Sequence, residues 1–148
     1  MIARREPQDA VYVFFGAGQA FHYYARRYGL TMENTVVGRC SLEKPREYLH
    51  QIDQFRGKPR VWILLTHDRG EGKAVIIDYL DHIGRRLEAV EVPGSSGRVV
   101  EAASGYLYDL SDSKRLTAAA SSSFAIAGET IGPPPAWACY GVGQSESP

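Results

Sequence analysis

Apolar positions recur along this chain in two rhythms, one of strands and one of helices. "AVYVFF" (10–15) is a short β-branched and aromatic block closed by Gly16, the pattern of a buried first strand. In the "AGQAFHYYARRYG" that follows, spacings of three and four set Ala17, Ala20, Phe21, Tyr24, Ala25 and Tyr28 on one helical face. Gly29 falls where helices end in a left-handed glycine. "NTVVGRC" (34–40) predicts a second, shorter strand. "KPREYLHQIDQFRGK" (44–58) predicts a second amphipathic helix, with Pro45 in its first turn and Tyr48, Leu49, Ile52 and Phe55 on its apolar side.

"RVWILL" (60–65) is apolar on both faces, which predicts a central strand covered by helices on each side, with parallel neighbours. A third helix follows in "GKAVIIDYLDHIGRRLEA", with Val75, Ile76, Tyr79, Leu80, Ile83 and Leu87 facing the core, and "LEAVEV" (87–92) overlaps its end as a fourth strand. "PGSSGR" is a turn, and "GYLYDLS" (105–111) is a last strand with Tyr106 and Tyr108 on one face, Leu107 and Asp109 on the other. The order βαβαβαββ predicts an α/β fold: a three-layer Rossmann-like sandwich with right-handed crossovers, a mostly parallel sheet and an antiparallel last strand, filling residues 7–112. Beyond it, "AAASSS", "PPP" and "GVGQSESP" lose all periodicity, so 113–148 is expected to be a low-complexity, disordered tail in which Phe124, Ile126 and Trp137 are the docking candidates.

Composition narrows the function classes. The 148 residues fit one domain, and 44% apolar with 23% charged residues is ordinary for a globular protein. Seventeen basic residues balance seventeen acidic ones, leaving no field to hold a phosphate backbone, so nucleic acid is not an expected partner. Cys40 and Cys139 lie far apart without metal-ligand spacing, so no metal site is expected; one disulfide between them stays open, but Cys139 falls in the expected tail, and two free thiols are the preferred reading. No run approaches the ~20 apolar residues of a membrane span, and "MIARREPQDAVYVFF" lacks the marks of a signal peptide.

The strand-to-helix turn "GAGQAF" (16–21) stands where dinucleotides bind, but the fingerprint GxGxxG or GxGxxA is broken by Phe21, and the second strand ends in Gly38 and Arg39 where an acidic residue is needed for the ribose. A tight turn is the preferred reading, and no cofactor is expected. "RGEGKA" (69–74) is not a phosphate-binding loop, since its first glycine is too near and Ala74 replaces the required hydroxyl. His67, flanked by Thr66 and Asp68, ends the presumed central strand at the edge where open α/β sheets take ligands. No nucleophile elbow accompanies it, so strand capping is preferred to catalysis. His22, His50 and His82 have polar neighbours and no ligand spacing, and are expected on the surface.

Three segments resemble a known family: "VYVFFGAGQAFHYYARRYG", "GKPRVWILLTHDRG" and "RLEAVEVPGSSGRVVEAASGYLYDLSD". They are similar to the soluble C-terminal region of bacterial membrane glycosyltransferase-like proteins, relatives of the protein mannosyltransferase and aminoarabinose transferase group that uses polyprenyl-phosphate sugars. Residues 10–28, 60–67 and 105–110 match that family's recurring words, with Thr66-His67 where Ser-His is common, and the resemblance covers about residues 7–112. It implies a domain on the extracytoplasmic face of the membrane, partnered by a membrane-embedded portion in the same or a separate chain. It also implies that the catalytic carboxylate lies in that other portion, so this chain resembles a detached, non-catalytic accessory domain.

Its ligand-facing surface is then expected at Gly16, Gly18, Gln19, Arg39, His67 and Asp68, taking an acceptor or a sugar-phosphate group. Two other readings stand beside it: a free-standing small-molecule-binding or hydrolytic domain with His67 as base or ligand contact, and a scaffold whose exposed strand edge pairs with a partner.

Overall fold

The computed structural model describes residues 4–40, 46–66, 71–92, 103–112, 114–115 and 124–126. The elements are β1 (Ala10–Val13), a 3-10 turn (Phe15–Ala17), α1 (Gly18–Arg27), β2 (Thr35–Val37), α2 (Arg46–Asp53), β3 (Val61–Leu65), α3 (Glu71–Ile83), β4 (Arg85–Val92) and β5 (Ala103–Asp109). This is the order expected from the apolar rhythm. α3 stops short of its predicted end because Gly84 terminates it, and Arg85 and Arg86 begin β4. α1 closes as foreseen: Gly29 takes a positive φ of 62°, and the Leu30 N–H donates to the Ala25 carbonyl at 2.8 Å.

The five strands form one sheet in the order β2-β1-β3-β5-β4. β1 pairs in parallel with β2 and with β3, whereas β5 is antiparallel to both β3 and β4. The sheet is therefore mixed, not mostly parallel. The last strand is antiparallel as expected, but it inserts between β3 and β4 and so turns two of the four ladders antiparallel. Its side chains explain the placement. Tyr106 and Tyr108 pack on one face of the sheet and Leu107 on the other, so β5 is apolar on both sides and suits the interior. β4, with Arg85, Arg86, Glu88 and Glu91, is polar enough for an edge.

Two apolar clusters flank the sheet. On one face Tyr12, Phe14, Ile63, Leu65, Tyr106 and Tyr108 meet α2 and α3 through Tyr48, Leu49, Ile52, Ile76, Tyr79, Leu80 and Ile83. On the other, Val11, Val13, Trp62 and Leu107 meet Ala17 at the end of the 3-10 turn and Phe21 and Ala25 of α1. Here the expected helix face was too wide. Ala20 is exposed, and so are Tyr24 and Tyr28, at 49% and 55% of their full areas. Among the described residues α1 is the single helix on that face, so it buries only a narrow strip, Gly18, Phe21 and Ala25 with Ala17 just ahead of it, and its flanks stay wet.

Polar groups lock the sheet at its N-terminal end. Asp9 is fully buried and accepts hydrogen bonds from Arg60 Nε (2.7 Å), Trp62 Nε1 (2.9 Å) and the Glu6 N–H (2.9 Å). Burial by itself pushes the Asp9 carboxyl up, but these donors and the Arg60 charge outweigh it and hold the group below the usual carboxylate value. Of the tail, Phe124 and Ile126 pack against the α2–α3 cluster, with Phe124 edge-on to Tyr79 at 5.1 Å and its carbonyl accepting from Arg46 Nη1 at 2.7 Å. Trp137 lies outside the described residues.

The thiol expectation is overturned: Cys40 is disulfide-bonded, and the chain's other cysteine, Cys139, lies outside the described residues.

Candidate functional site

The chain leaves β1 for β2 on one side and returns across it to β3 on the other, so the winding reverses between β1 and β3. In open α/β sheets ligands usually bind at such a switch point, outside the C-terminal ends of the strands. Gly16, Gly18 and Gln19 stand there, in the turn after β1 and the first residues of α1. The backbone is drawn tight: the Phe14 N–H donates to the Leu64 carbonyl at 2.8 Å, and a Cβ on Gly18 would sit 3.0 Å from Val37 Cγ1. Gly18 has ordinary helical φ, so the residue is small to let α1 start against β2. Phe21, which breaks the dinucleotide fingerprint, is buried in the α1-side cluster.

Arg39 follows β2 at the same sheet edge, one strand outward. Its backbone is clamped by Gln51, whose Oε1 accepts from the Arg39 N–H at 3.2 Å and whose Nε2 donates to the Arg39 carbonyl at 3.3 Å. The same Oε1 accepts from Tyr12 at 2.9 Å. Four of the six predicted residues thus share one edge of the sheet. The other two, His67 and Asp68, lie outside the described residues.

β5 runs the opposite way, so its start reaches this same edge. Ser104 pairs with Leu65 of β3 on one side and with Glu91 of β4 on the other. It is only 4% exposed, yet it is polar, and Lys73 from the first turns of α3 donates to its Oγ at 2.9 Å. The Lys73 ammonium is also 3.7 Å from the Glu91 carboxylate and 5.5 Å from the centre of the Tyr106 ring. The Tyr106 hydroxyl donates to Glu91, and this bond, aided by the Lys73 charge, draws the Glu91 carboxyl below its ordinary value. Just past β3, next to the Leu65 that pairs with Ser104, Thr66 carries a buried Oγ1 that has no hydrogen-bond partner among the described residues. An unmet buried hydroxyl costs about 1–3 kcal/mol, and a ligand oxygen at this position would recover that.

Across the edge the order is Arg39, Gly16 to Gln19, Thr66, Ser104 and Glu91. From β2 to β5 is three strand spacings, about 14 Å. Positive charge stands at Arg39 and Lys73, with hydroxyls between them at Thr66 and Ser104. Such a row can hold a polar molecule with an anionic end, but it brings together no three groups able to grip a metal ion: among the described residues no such cluster of His, Cys, Asp and Glu exists.

Sequence reasoning missed Lys73, Ser104 and Glu91. They lie 31 and 18 residues apart along the chain (104 − 73 and 91 − 73), in no common motif, and only the position of β5 between β3 and β4 unites them. The one available signal was Ser104 itself, a polar residue two positions from Tyr106 on the face of a strand that is otherwise apolar.

No protein-family model, curated protein or solved structure matches this chain.

Proposed function

We propose that this chain is the accessory domain of a polyprenyl-phosphate-sugar glycosyltransferase-like membrane protein. In this reading it works on the extracytoplasmic face without catalysing transfer itself, and its C-terminal sheet edge receives an acceptor or sugar-phosphate group. The observation that carries the reading is spatial. The family-like words at 10–28, 60–67 and 105–110 are far apart in sequence, yet they supply β1 with α1, β3 and β5, which are consecutive in the sheet. Words that build one contiguous unit behave as a shared fold would.

Two further features support it. The Cys40 disulfide suits an oxidising compartment outside the cytoplasm. With α1 on one face and α2 and α3 on the other, the finer description we adopt is a Rossmann-like three-layer sandwich, whose switch-point crevice is the usual ligand position.

The test is a titration of the labelled chain with a short-chain isoprenyl phosphate and with a hexose 1-phosphate, followed by amide chemical shifts. Shifts are expected at Gly16 to Gln19, Thr66 and Ser104, and their loss in Lys73→Gln. Shifts elsewhere, or none, defeat the edge site. In the encoding DNA, an in-frame upstream run of repeated apolar segments of ~20 residues supports the membrane partner.

One observation favours a second reading, a free-standing hydrolytic domain: Lys73 Nζ lies 2.9 Å from Ser104 Oγ, a pair in which the amine, once deprotonated, can accept the hydroxyl proton and activate the serine. Covalent labelling by a fluorophosphonate, lost in Ser104→Ala, would select this reading over the first. The scaffold reading is weakened by β4, where edge charges and a register shift between Arg86 and Glu88 oppose strand addition.

A further inference from the structure

The outward face of α1 is unlike any other surface of the described chain. Tyr23, Tyr24 and Tyr28 are 59%, 49% and 55% exposed, and Met32, in the loop after the helix, is 40% exposed. Successive residues turn by about 100°, so Tyr23 and Arg27 point directly away from the buried row of Phe21 and Ala25, with Tyr24 and Tyr28 on one shoulder and Arg26 on the other. The rings are arranged: Tyr23 meets Tyr24 edge-on at 5.2 Å, Tyr24 stacks on Tyr28 at 6.3 Å, and Arg27 Nη1 donates to the Tyr23 hydroxyl at 3.4 Å.

Charge sets the character of the face. α1 contains no acidic residue, and neither Arg26 nor Arg27 forms an ion pair among the described residues. By contrast Arg4, Arg56, Arg60, Arg85, Arg86 and Arg115 are all paired with carboxylates. Two uncompensated guanidiniums among three wet tyrosines match one kind of partner closely. Tyrosine places an apolar ring at the level of lipid headgroups while its hydroxyl stays hydrated, and arginine reaches the phosphates.

We propose that the α1 face docks on the headgroup layer of an anionic phospholipid bilayer. It gives the accessory domain a second contact with the membrane besides its embedded partner. The inference extends the membrane-associated reading above, but it uses a different surface and does not need the sheet-edge site.

The experiment is flotation of the full chain with vesicles of phosphatidylcholine alone and of two parts phosphatidylcholine to one part phosphatidylglycerol. Binding is expected only to the mixed vesicles, and it should weaken as salt rises. Arg26→Gln with Arg27→Gln should lower the partition coefficient about thirtyfold, which corresponds to about 1 kcal/mol per arginine near an anionic surface. Tyr23→Ser, Tyr24→Ser and Tyr28→Ser together should also lower it while leaving the melting temperature unchanged, because all three rings are exposed.

Equal binding to both vesicle types, or full binding by either variant, overturns the proposal. So does equal, competing capture by soluble polyglutamate, which would assign the face to acidic protein. Lys73→Gln serves as the control: vesicle binding intact while the isoprenyl phosphate titration is lost means that the docking face and the sheet-edge site stand separately. Lost vesicle binding with that titration intact overturns only the docking.

Discussion

Replacing Asp9 by alanine tests how far one buried carboxylate secures the sheet. The substitution removes the acceptor of four hydrogen bonds, two from Arg60 (2.7 and 3.1 Å), one from Trp62 Nε1 and one from the Glu6 N–H. The costs differ by donor. Trp62 is fully buried and has a single N–H, so that donor is stranded at about 1–3 kcal/mol. The Arg60 side chain, 27% exposed, can turn to water, which places the total near the lower end of the range for breaking a buried pair, about 3 kcal/mol. For a domain of this size that is roughly 10–15 °C in melting temperature.

Urea unfolding followed by far-UV circular dichroism measures it, and a cycle combining Asp9→Ala with Trp62→Phe should show a coupling of about 1–2 kcal/mol. The pH dependence supplies an independent check. The folded-state pKa of Asp9 lies below the unfolded value, so its stabilisation is present above the ordinary carboxylate range and is lost as pH falls below about 4. Asp9→Asn should lose less stability than Asp9→Ala and should flatten this acid limb. A loss under about 0.5 kcal/mol for Asp9→Ala, or zero coupling to Trp62, refutes the reasoning.

Gly38→Ala should cost about 1–3 kcal/mol by thermal melting, because its Cβ would fall 2.8 Å from Gln51 Oε1 and 2.9 Å from Cζ of the fully buried Tyr12. Reducing the chain with dithiothreitol, or substituting Cys40→Ser, should each lower stability by about 2–4 kcal/mol in urea titrations, and the two effects should not add. Burial, and next its hydrogen bond to Asp53, push the Tyr79 hydroxyl up to about 12, with Arg56 acting the other way. The stabilisation that follows is present below about pH 10 and lost as pH rises through the folded value, so Tyr79→Phe should be the less alkali-sensitive protein in unfolding curves taken across that range.

What the sequence made legible follows from which interactions are local. Among the described residues the apolar rhythm located all five strands and the three helices α1 to α3, because a buried strand such as Val61–Leu65 and an amphipathic helix such as Arg46–Asp53 announce themselves within a few residues. Partner choice is not local. The interior place of β5 rests on a comparison of two strands: "GYLYD" carries a nearly unbroken apolar run, whereas "RRLEAVEV" is interrupted by Arg85, Arg86, Glu88 and Glu91, and the expectation of a mostly parallel sheet weighed neither against the other. The same gap hid Ser104 and Lys73, which meet only once β5 lies beside β3. Tyr24 and Tyr28 were misassigned for another reason: spacing marks the residues able to face a core, while the width of the buried stripe depends on how much neighbouring structure surrounds the helix.

The insertion of β5 also bears on the order in which the molecule can form. Among the described residues β4 has no ladder partner except β5, and β3 leaves one edge open until β5 arrives. During synthesis the nascent chain would therefore carry two unsatisfied strand edges until residues 103–109 emerge. A ribosome stalled before that point displays a sticky half-sheet, and a truncation there loses two ladders at once, not one. Closure of the sheet is gated by β5, so the five-stranded unit is complete only once residues 103–109 are available, and does not arise by outward growth from the first βαβ segment alone.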